Sequence, residues 1–135
     1  MPKIFGIHTN IVDTKNRWQQ KFLSGNFTGA ATMTDLSFNN LVIGRTYIVT
    51  LHCDFQGTGQ KRVDIMNGAT NICRAEMSAG VSELNTATVR EFIATATTLT
   101  FVSVTANAQF QGGDAAGTAA TLQEVFNEDV TTAWT

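Results

Sequence analysis

The sequence predicts an all-β protein folded as an antiparallel β-sandwich. Threonine is abundant, with twenty-one among 135 residues, and threonine, valine and isoleucine branch at Cβ and fit a pleated sheet. Eleven glycines separate short apolar runs, and Pro2 is the only proline. No stretch keeps a 3.6-residue apolar period, whereas about eight short runs alternate between apolar and polar residues. Short strands at regular spacing with turns between them indicate a sandwich or jelly roll.

Residues 45–55, RTYIVTLHCDF, alternate most cleanly. One face carries an apolar series: Tyr47, Val49, Leu51, Cys53 and Phe55. The other face carries Thr46, Ile48, Thr50, His52 and Asp54. Because neighbouring side chains of a strand point to opposite faces, we predict that the first series lies in the core. Ile48 makes the second face too apolar for a plainly solvent-exposed surface, so we predict a subunit interface at Ile48, Thr50 and His52.

The remaining strands are predicted from shorter alternating runs: TDLSF (34–38), RVDIMNG (62–68), TNICRAEM (70–77), TVREFIAT (88–95), TTLTFVSVTA (97–106) and TLQEVF (121–126). Asn67-Gly68 predicts a hairpin turn, because both residue types tolerate a positive φ. SAGVSELNTA (78–87) and NAQFQGGDAAGTAA (107–120) are interpreted as loops. Residues 1–20 are less regular and are either an anchoring segment or a strand leading into the sandwich. The domain itself is predicted over 21–135.

The overall charge excludes some partners. Nine Lys and Arg residues against eleven Asp and Glu residues give a net charge of −2, so a basic footprint for nucleic acid is lacking. No apolar run approaches the roughly 20 residues that span a bilayer, and MPKIFGIHTN does not resemble a secretory signal. We therefore expect neither nucleic-acid binding nor membrane insertion.

His52 and Cys53 are adjacent and invite a metal or nucleophile hypothesis. Strand alternation puts them on opposite faces, and a protein metal site usually needs three or four ligands. The only other histidine is His8, so we predict no metal and no cofactor within one chain. A ring of symmetry-related His52 side chains in an oligomer stays open. We expect both Cys53 and Cys73 to be reduced and buried.

The sequence does not predict an enzyme. Carboxylate pairs such as Glu124 with Glu128, or Asp54 with Asp64, have no fixed separation. The glycine-rich GTGQKR and GGDAAG lack the P-loop lysine pattern, and Asp114 alone makes a weak calcium site.

Aromatic side chains offer a different chemistry. Trp18, Phe110 and Trp134, with Phe27, are candidates for stacking against a sugar or partner. The alternative for each is that it fills the sandwich or an oligomer interface.

The order of features from Leu36 onward resembles the C1q/TNF-like jelly roll carried by bacteriophage structural proteins. The resemblance is in LSFNNLVIGRTYIVTLHCDFQGTG, RVDIMNG, TLTFVSVTA and AATLQEVF, over about residues 36–126. It implies a non-enzymatic virion protein: a head fibre, tail fibre or knob, or capsid decoration. It also implies a homotrimer, assembled in the host cytoplasm, with other virion proteins and host surface glycan as partners. A carbohydrate-binding module on a β-sandwich is the alternative function.

Overall fold

The computed structural model describes residues 18–56, 60–77, 83–106, 108–113 and 117–125. Nearly all regular structure in these ranges is β-strand. In chain order the strands are β1 (Trp18–Phe22), β2 (Phe27–Thr28), β3 (Thr46–Gln56), β4 (Lys61–Asn67), β5 (Thr70–Met77), β6 (Glu83–Ile93), β7 (Leu99–Ser103), β8 (Gln109–Phe110) and β9 (Ala119–Val125). Among the described residues, one 3-10 turn is present, at Thr34–Leu36. No helix in the described ranges has the length and apolar character needed to cross a membrane.

The strands form two antiparallel sheets. β3 is central in sheet A, where it pairs with β6 along one edge. Its other edge pairs with β9 and then, at Phe55 and Gln56, with β8. β1 continues the sheet beyond β9, and β2 continues it beyond β8. Sheet B has the order β5-β4-β7, and isolated bridges of Thr32 with Val102 and of Phe38 with Leu99 extend it beyond β7.

The core lies between the two sheets and follows the predicted alternation. Every second residue of β3, from Tyr47 to Phe55, is buried, and the residues between them are half-buried. Val63 and Ile65 of β4, with Leu99 and Phe101 of β7, oppose them from sheet B. Aromatic rings pack against each other in pairs: the ring centroids of Phe55 and Phe110 lie 5.3 Å apart, and those of Tyr47 and Phe92 lie 5.9 Å apart. Burial of such side chains is the main favourable contribution to folding.

The β4–β5 hairpin occurs where Asn67-Gly68 predicts it. Asn67 pairs with Thr70, so Gly68 and Ala69 form the two-residue turn. Gly68 has φ 60°, and a Cβ there would lie 2.6 Å from the Cβ of Ala96. Glycine is therefore required for both its backbone angle and its lack of a side chain.

Three predicted elements are wrong or incomplete, and one predicted boundary is shifted. TDLSF is not a strand, because Thr34–Leu36 forms a 3-10 turn that buries Leu36 and only Phe38 makes a bridge to sheet B. β6 begins at Glu83, within the predicted loop 78–87, because β3 offers a partner along its whole length. The predicted loop 107–120 contains β8, which pairs with the end of β3. β1 begins at Trp18, so the sheet includes the last residues of the predicted segment 1–20.

Candidate interaction surface on sheet A

One face of sheet A packs on the core, and the other, called here the outer face, points away from it. The strand register places its side chains in rows across β1, β9, β3 and β6. The three rows are Trp18, Gln123, Ile48 and Glu91; then Gln20, Thr121, Thr50 and Val89; then Phe22, Ala119, His52 and Ala87. The predicted interface residues Ile48, Thr50 and His52 therefore share this face, on its central strand.

Both flanks of the outer face expose large apolar side chains. On β1, Trp18 is 56% exposed and Phe22 is 43% exposed. On β6, Val89 is 62% exposed and Ile93 is 63% exposed. Clusters of large exposed apolar side chains on a folded domain are candidates for an interaction site.

The turn that precedes β3 extends the flank formed by β6. Val42 and Ile43 are exposed there. The turn is held against the end of β6 by backbone hydrogen bonds, from Gly44 N to Ala94 O and from Ala94 N to Arg45 O. Val42 N also donates to the Tyr47 hydroxyl at 2.8 Å. These two apolar side chains are therefore fixed near Ile93 by the fold.

The outer face of sheet B has a different character. Arg74 donates to both carboxylate oxygens of Asp64, and Arg62 lies 3.7 Å from Glu76. The hydrogen bond from Arg74 holds the pKa of Asp64 below its usual value. Such paired charges are typical of a solvated surface. Among the described residues the interaction surface is therefore on sheet A.

His52 and Asp54 form the polar end of the outer face. The Nδ1 atom of His52 lies 2.9 Å from the carbonyl oxygen of Gly117. A carbonyl only accepts, so Nδ1 carries the hydrogen, and in the neutral ring Nε2 is then the acceptor. Asp54 is two residues along the same strand face, and its Oδ1 atom is buried without a hydrogen-bond donor among the described residues.

The two cysteines are free, and Cys53 is an inert core residue. It is fully buried between the sheets, and burial raises the pKa of its thiol far above the usual range. A thiol that does not ionise is a poor nucleophile. Cys73, which lies opposite Ile65 on β4, is only half-buried, so the prediction that both cysteines are buried is wrong for this one.

The aromatic residues predicted as ligand or partner contacts lie in different environments in the structure. Trp18 is exposed on the outer face of sheet A, as a ligand or partner contact requires. The prediction for Phe110 is wrong, because this ring is 1% exposed and packs between Phe27 and Phe55. Trp134 lies outside the described residues.

The acidic pair Asp54 and Asp64 is not brought together. Asp54 lies on the outer face of sheet A and Asp64 on that of sheet B. Glu128 and Asp114 lie outside the described residues. Within the described ranges, no three His, Cys, Asp or Glu side chains are grouped closely enough to hold a metal ion.

Sequence reasoning missed Phe22, Val89 and Ile93 as surface residues of this face. The signal was present in TVREFIAT: Phe92 belongs to the core, so Val89 and Ile93 must point the other way. Phe22 gives a weaker signal, because β1 is short and partly lies in the segment predicted as irregular.

Comparison with known proteins identifies the fold. No protein family matches the sequence, and no curated protein matches it. Among solved structures, Eiger TNF from S. frugiperda is similar with a TM-score of 0.57 and 7% identity, over 82% of this chain and 94% of that chain. The chain has a TNF-like jelly-roll fold. The predicted all-β antiparallel sandwich is therefore confirmed.

Two further structures are similar at lower TM-scores. A protein of Bacillus endospore appendages, which form disulfide-linked pili, has a TM-score of 0.43 and 14% identity, over 82% of this chain and 90% of that chain. The C-terminal domain of EclA, a sugar-binding protein, has a TM-score of 0.41 and 17% identity, over 81% of this chain and 77% of that chain.

Proposed function

We propose that this protein is a non-enzymatic structural protein that assembles as a homotrimer through the outer face of sheet A. The observation that carries the proposal is the pair of exposed apolar flanks, Trp18 and Phe22 on one side and Val89 and Ile93 on the other. Covering a large apolar side chain contributes about 1.5–3 kcal/mol. Four such side chains, with the half-buried Ile48 between them, are a strong driving force for association.

The resemblance to the C1q/TNF-like jelly roll supports a trimer over a two-fold dimer. The two flanks differ in chemistry, with aromatic rings on β1 and branched aliphatic side chains on β6. When one flank of a subunit packs on the other flank of the next around a three-fold axis, the contacts are heterologous and close into a ring. Unlike flanks can also meet about a two-fold axis, so the mass measured by light scattering decides between a dimer and a trimer.

The proposal extends to the place of assembly. The resemblance carried by LSFNNLVIGRTYIVTLHCDFQGTG supports a virion component, either a head fibre, a tail fibre or knob, or a capsid decoration protein. Its partners would be other virion proteins, and its assembly would take place in the host cytoplasm. Mass spectrometry of purified particles checks this: the chain should copurify with capsid or tail proteins, and its absence from particles would remove the virion assignment.

The assembly itself is tested by Ile48→Asp. Ile48 is half-buried at the middle of the outer face, so a carboxylate there would be desolvated on assembly at a cost of several kcal/mol. Light scattering should give a trimer for the native chain and a monomer for the variant, with an unchanged circular dichroism spectrum. Thr100→Asp, at a half-buried position of β7 in sheet B, is the matched control and should remain trimeric. A native chain that is monomeric at micromolar concentration would contradict the proposal.

Carbohydrate binding at β1 is the second candidate function. Trp18 and Phe22 are exposed on the same face of β1 with Gln20 between them and Gln123 opposite Trp18. Exposed rings beside amide side chains suit a sugar, which needs both stacking and hydrogen bonds. On a glycan array, selective binding should be lost in Trp18→Ala and kept in Ile43→Ala. Binding that survives Trp18→Ala would exclude this surface.

A further inference from the structure

His52 and Asp54 lie on the strand that is nearest the symmetry axis in the proposed trimer. In a three-membered ring, the flanks β1 and β6 contact the neighbouring subunits. The strands between them, β9 and β3, then line the axis. His52 and Asp54 both project from β3 on this face, separated by roughly 7 Å along the strand.

The residues beside His52 on the outer face have small side chains, so its ring projects beyond them. The residues opposite it in register are Ala119 on β9 and Ala87 on β6. Its Nδ1 donates to the carbonyl oxygen of Gly117 at 2.9 Å, which fixes the orientation of the ring. Histidines that bind metal ions commonly donate their other ring nitrogen to a backbone carbonyl in this way. In the neutral ring this arrangement leaves Nε2 as the nitrogen that can bind an ion.

Asp54 supplies a second, independent observation. Its Oδ1 atom is buried and receives no hydrogen bond from the described residues. Its backbone is fixed at both ends, since Asp54 N donates to the Thr118 hydroxyl at 3.1 Å and Asp54 O accepts from Gln111 N at 2.9 Å. A buried acceptor without a donor is costly and is commonly explained by a cation or a water molecule.

We propose that three copies of His52 bind one divalent transition-metal ion on the axis, with the three Asp54 carboxylates offsetting its charge. One chain provides only one imidazole, so the site is incomplete without the partner copies. Three imidazole nitrogens with an open fourth position are a ligand set that Zn²⁺ accepts. This inference rests on the proposed trimer and adds a bound metal ion to it.

The test is Zn²⁺ binding to the full chain after metal removal with EDTA. Calorimetry should show one Zn²⁺ ion for three chains. His52→Asn keeps an N–H that can bond to Gly117 and removes Nε2, so it should abolish binding. His52→Gln serves the same purpose if that variant folds poorly. Asp54→Asn should weaken binding by less than His52→Asn does, because it removes only a nearby negative charge and leaves the ligating ring in place. His8→Ala is the matched control and should bind Zn²⁺ as the native chain does.

Light scattering with and without Zn²⁺ separates this inference from the proposed function. A native trimer that takes up no Zn²⁺, or one ion for each chain, would overturn the metal site and leave the assembly intact. Binding that survives in both His52→Asn and His52→Gln, or is lost in His8→Ala, would also overturn the site. A chain that stays monomeric in both conditions would overturn the trimer and the site together.

Discussion

Alternation along β3 determines what each of its side chains can do. Cys53 is buried between the sheets, and burial raises the pKa of its thiol, so it has a packing role. His52, its neighbour, is on the outer face, where its Nδ1 donates to the carbonyl oxygen of Gly117. The two adjacent residues therefore lie in different environments and do not act as a pair.

Asp64 gives a prediction of pH-dependent stability. Its pKa is below the ordinary value of 3.8, mainly because Arg74 donates hydrogen bonds to the carboxylate. A carboxyl with a depressed folded-state pKa stabilises the protein above its unfolded pKa, and this contribution is lost as the pH falls through the folded pKa. Because Arg74 is substantially exposed, Asp64→Asn should lower the free energy of unfolding at neutral pH by about 1 kcal/mol or less.

Urea denaturation of the native chain and Asp64→Asn at neutral pH and at about pH 2 checks this prediction. The difference between the two proteins should be smaller at the lower pH, because this stabilisation is lost as the pH falls through the folded-state pKa of Asp64. Glu91→Gln, an exposed position on β6, is the control and should show little difference at neutral pH. An equal deficit for Asp64→Asn at both values would show that the ion pair is not its cause.

At the scale of elements, one buried side chain connects the β4–β5 hairpin to the segment between β6 and β7. The Asn67 amide nitrogen donates to the carbonyl oxygens of Ala96 and Thr98. Its oxygen accepts from the backbone N–H and the hydroxyl of Thr95. Gly68 N also donates to Thr98 O at 3.0 Å. The hairpin turn thus supports the connection that carries the chain from sheet A to sheet B.

Asn67→Ala should therefore destabilise the fold strongly. The substitution removes the side-chain partners of the Thr95 N–H and of the Ala96 and Thr98 carbonyls, which should cost about 1–3 kcal/mol in the free energy of unfolding. Asn39→Ala, at an exposed position, is the matched control and should change stability by about 0.5 kcal/mol or less. Thermal and urea unfolding would measure both, and equal stability of the two variants would contradict the role given to Asn67.

The elements also show how far the sequence predicts the structure. β3, β4, β5, β7 and β9 were predictable because their side chains alternate and their turns contain glycine or asparagine. TDLSF alternates too, but it has no complete strand partner, and Asp35 instead accepts hydrogen bonds from Ser24. Lys61 was not predictable as a buried residue: it shares the face of Val63 and Ile65 although it is charged.

The candidate surface was predicted only in part, because alternation shows the faces of one strand and not which strands pair. Alternation placed Ile48, Thr50 and His52 on one face. Which residues form the flanks is decided by pairing between strands that are distant in sequence, such as Trp18 with Gln123. Alternation within one strand carries no information about that pairing.

At the scale of the whole molecule, the two outer faces of the sandwich differ in polarity and in how their charges are paired. Sheet B pairs its charges within the chain, as Arg74 does with Asp64. Sheet A leaves its apolar flanks uncovered and carries few charges, of which Glu91 lies at the edge strand β6. One face has its charges paired within the chain, and the other exposes apolar side chains. Such a protein is suited to assembly in one orientation, with sheet A inside and sheet B facing solvent.

The heterologous contact between the flanks can be tested by exchanging apolar side chains for opposite charges. Trp18→Lys on β1 and Val89→Glu on β6 should each weaken assembly, because each buries an unpaired charge against an apolar neighbour. In a ring, the flank β1 of every subunit meets the flank β6 of the next, so the double variant brings opposite charges together at every interface. Light scattering should show that the double variant is more trimeric than either single variant, and that high salt reduces the rescue. In a two-fold dimer in which each flank meets its own copy, the double variant would instead bring like charges together and assemble no better than the single variants. That result would exclude the ring.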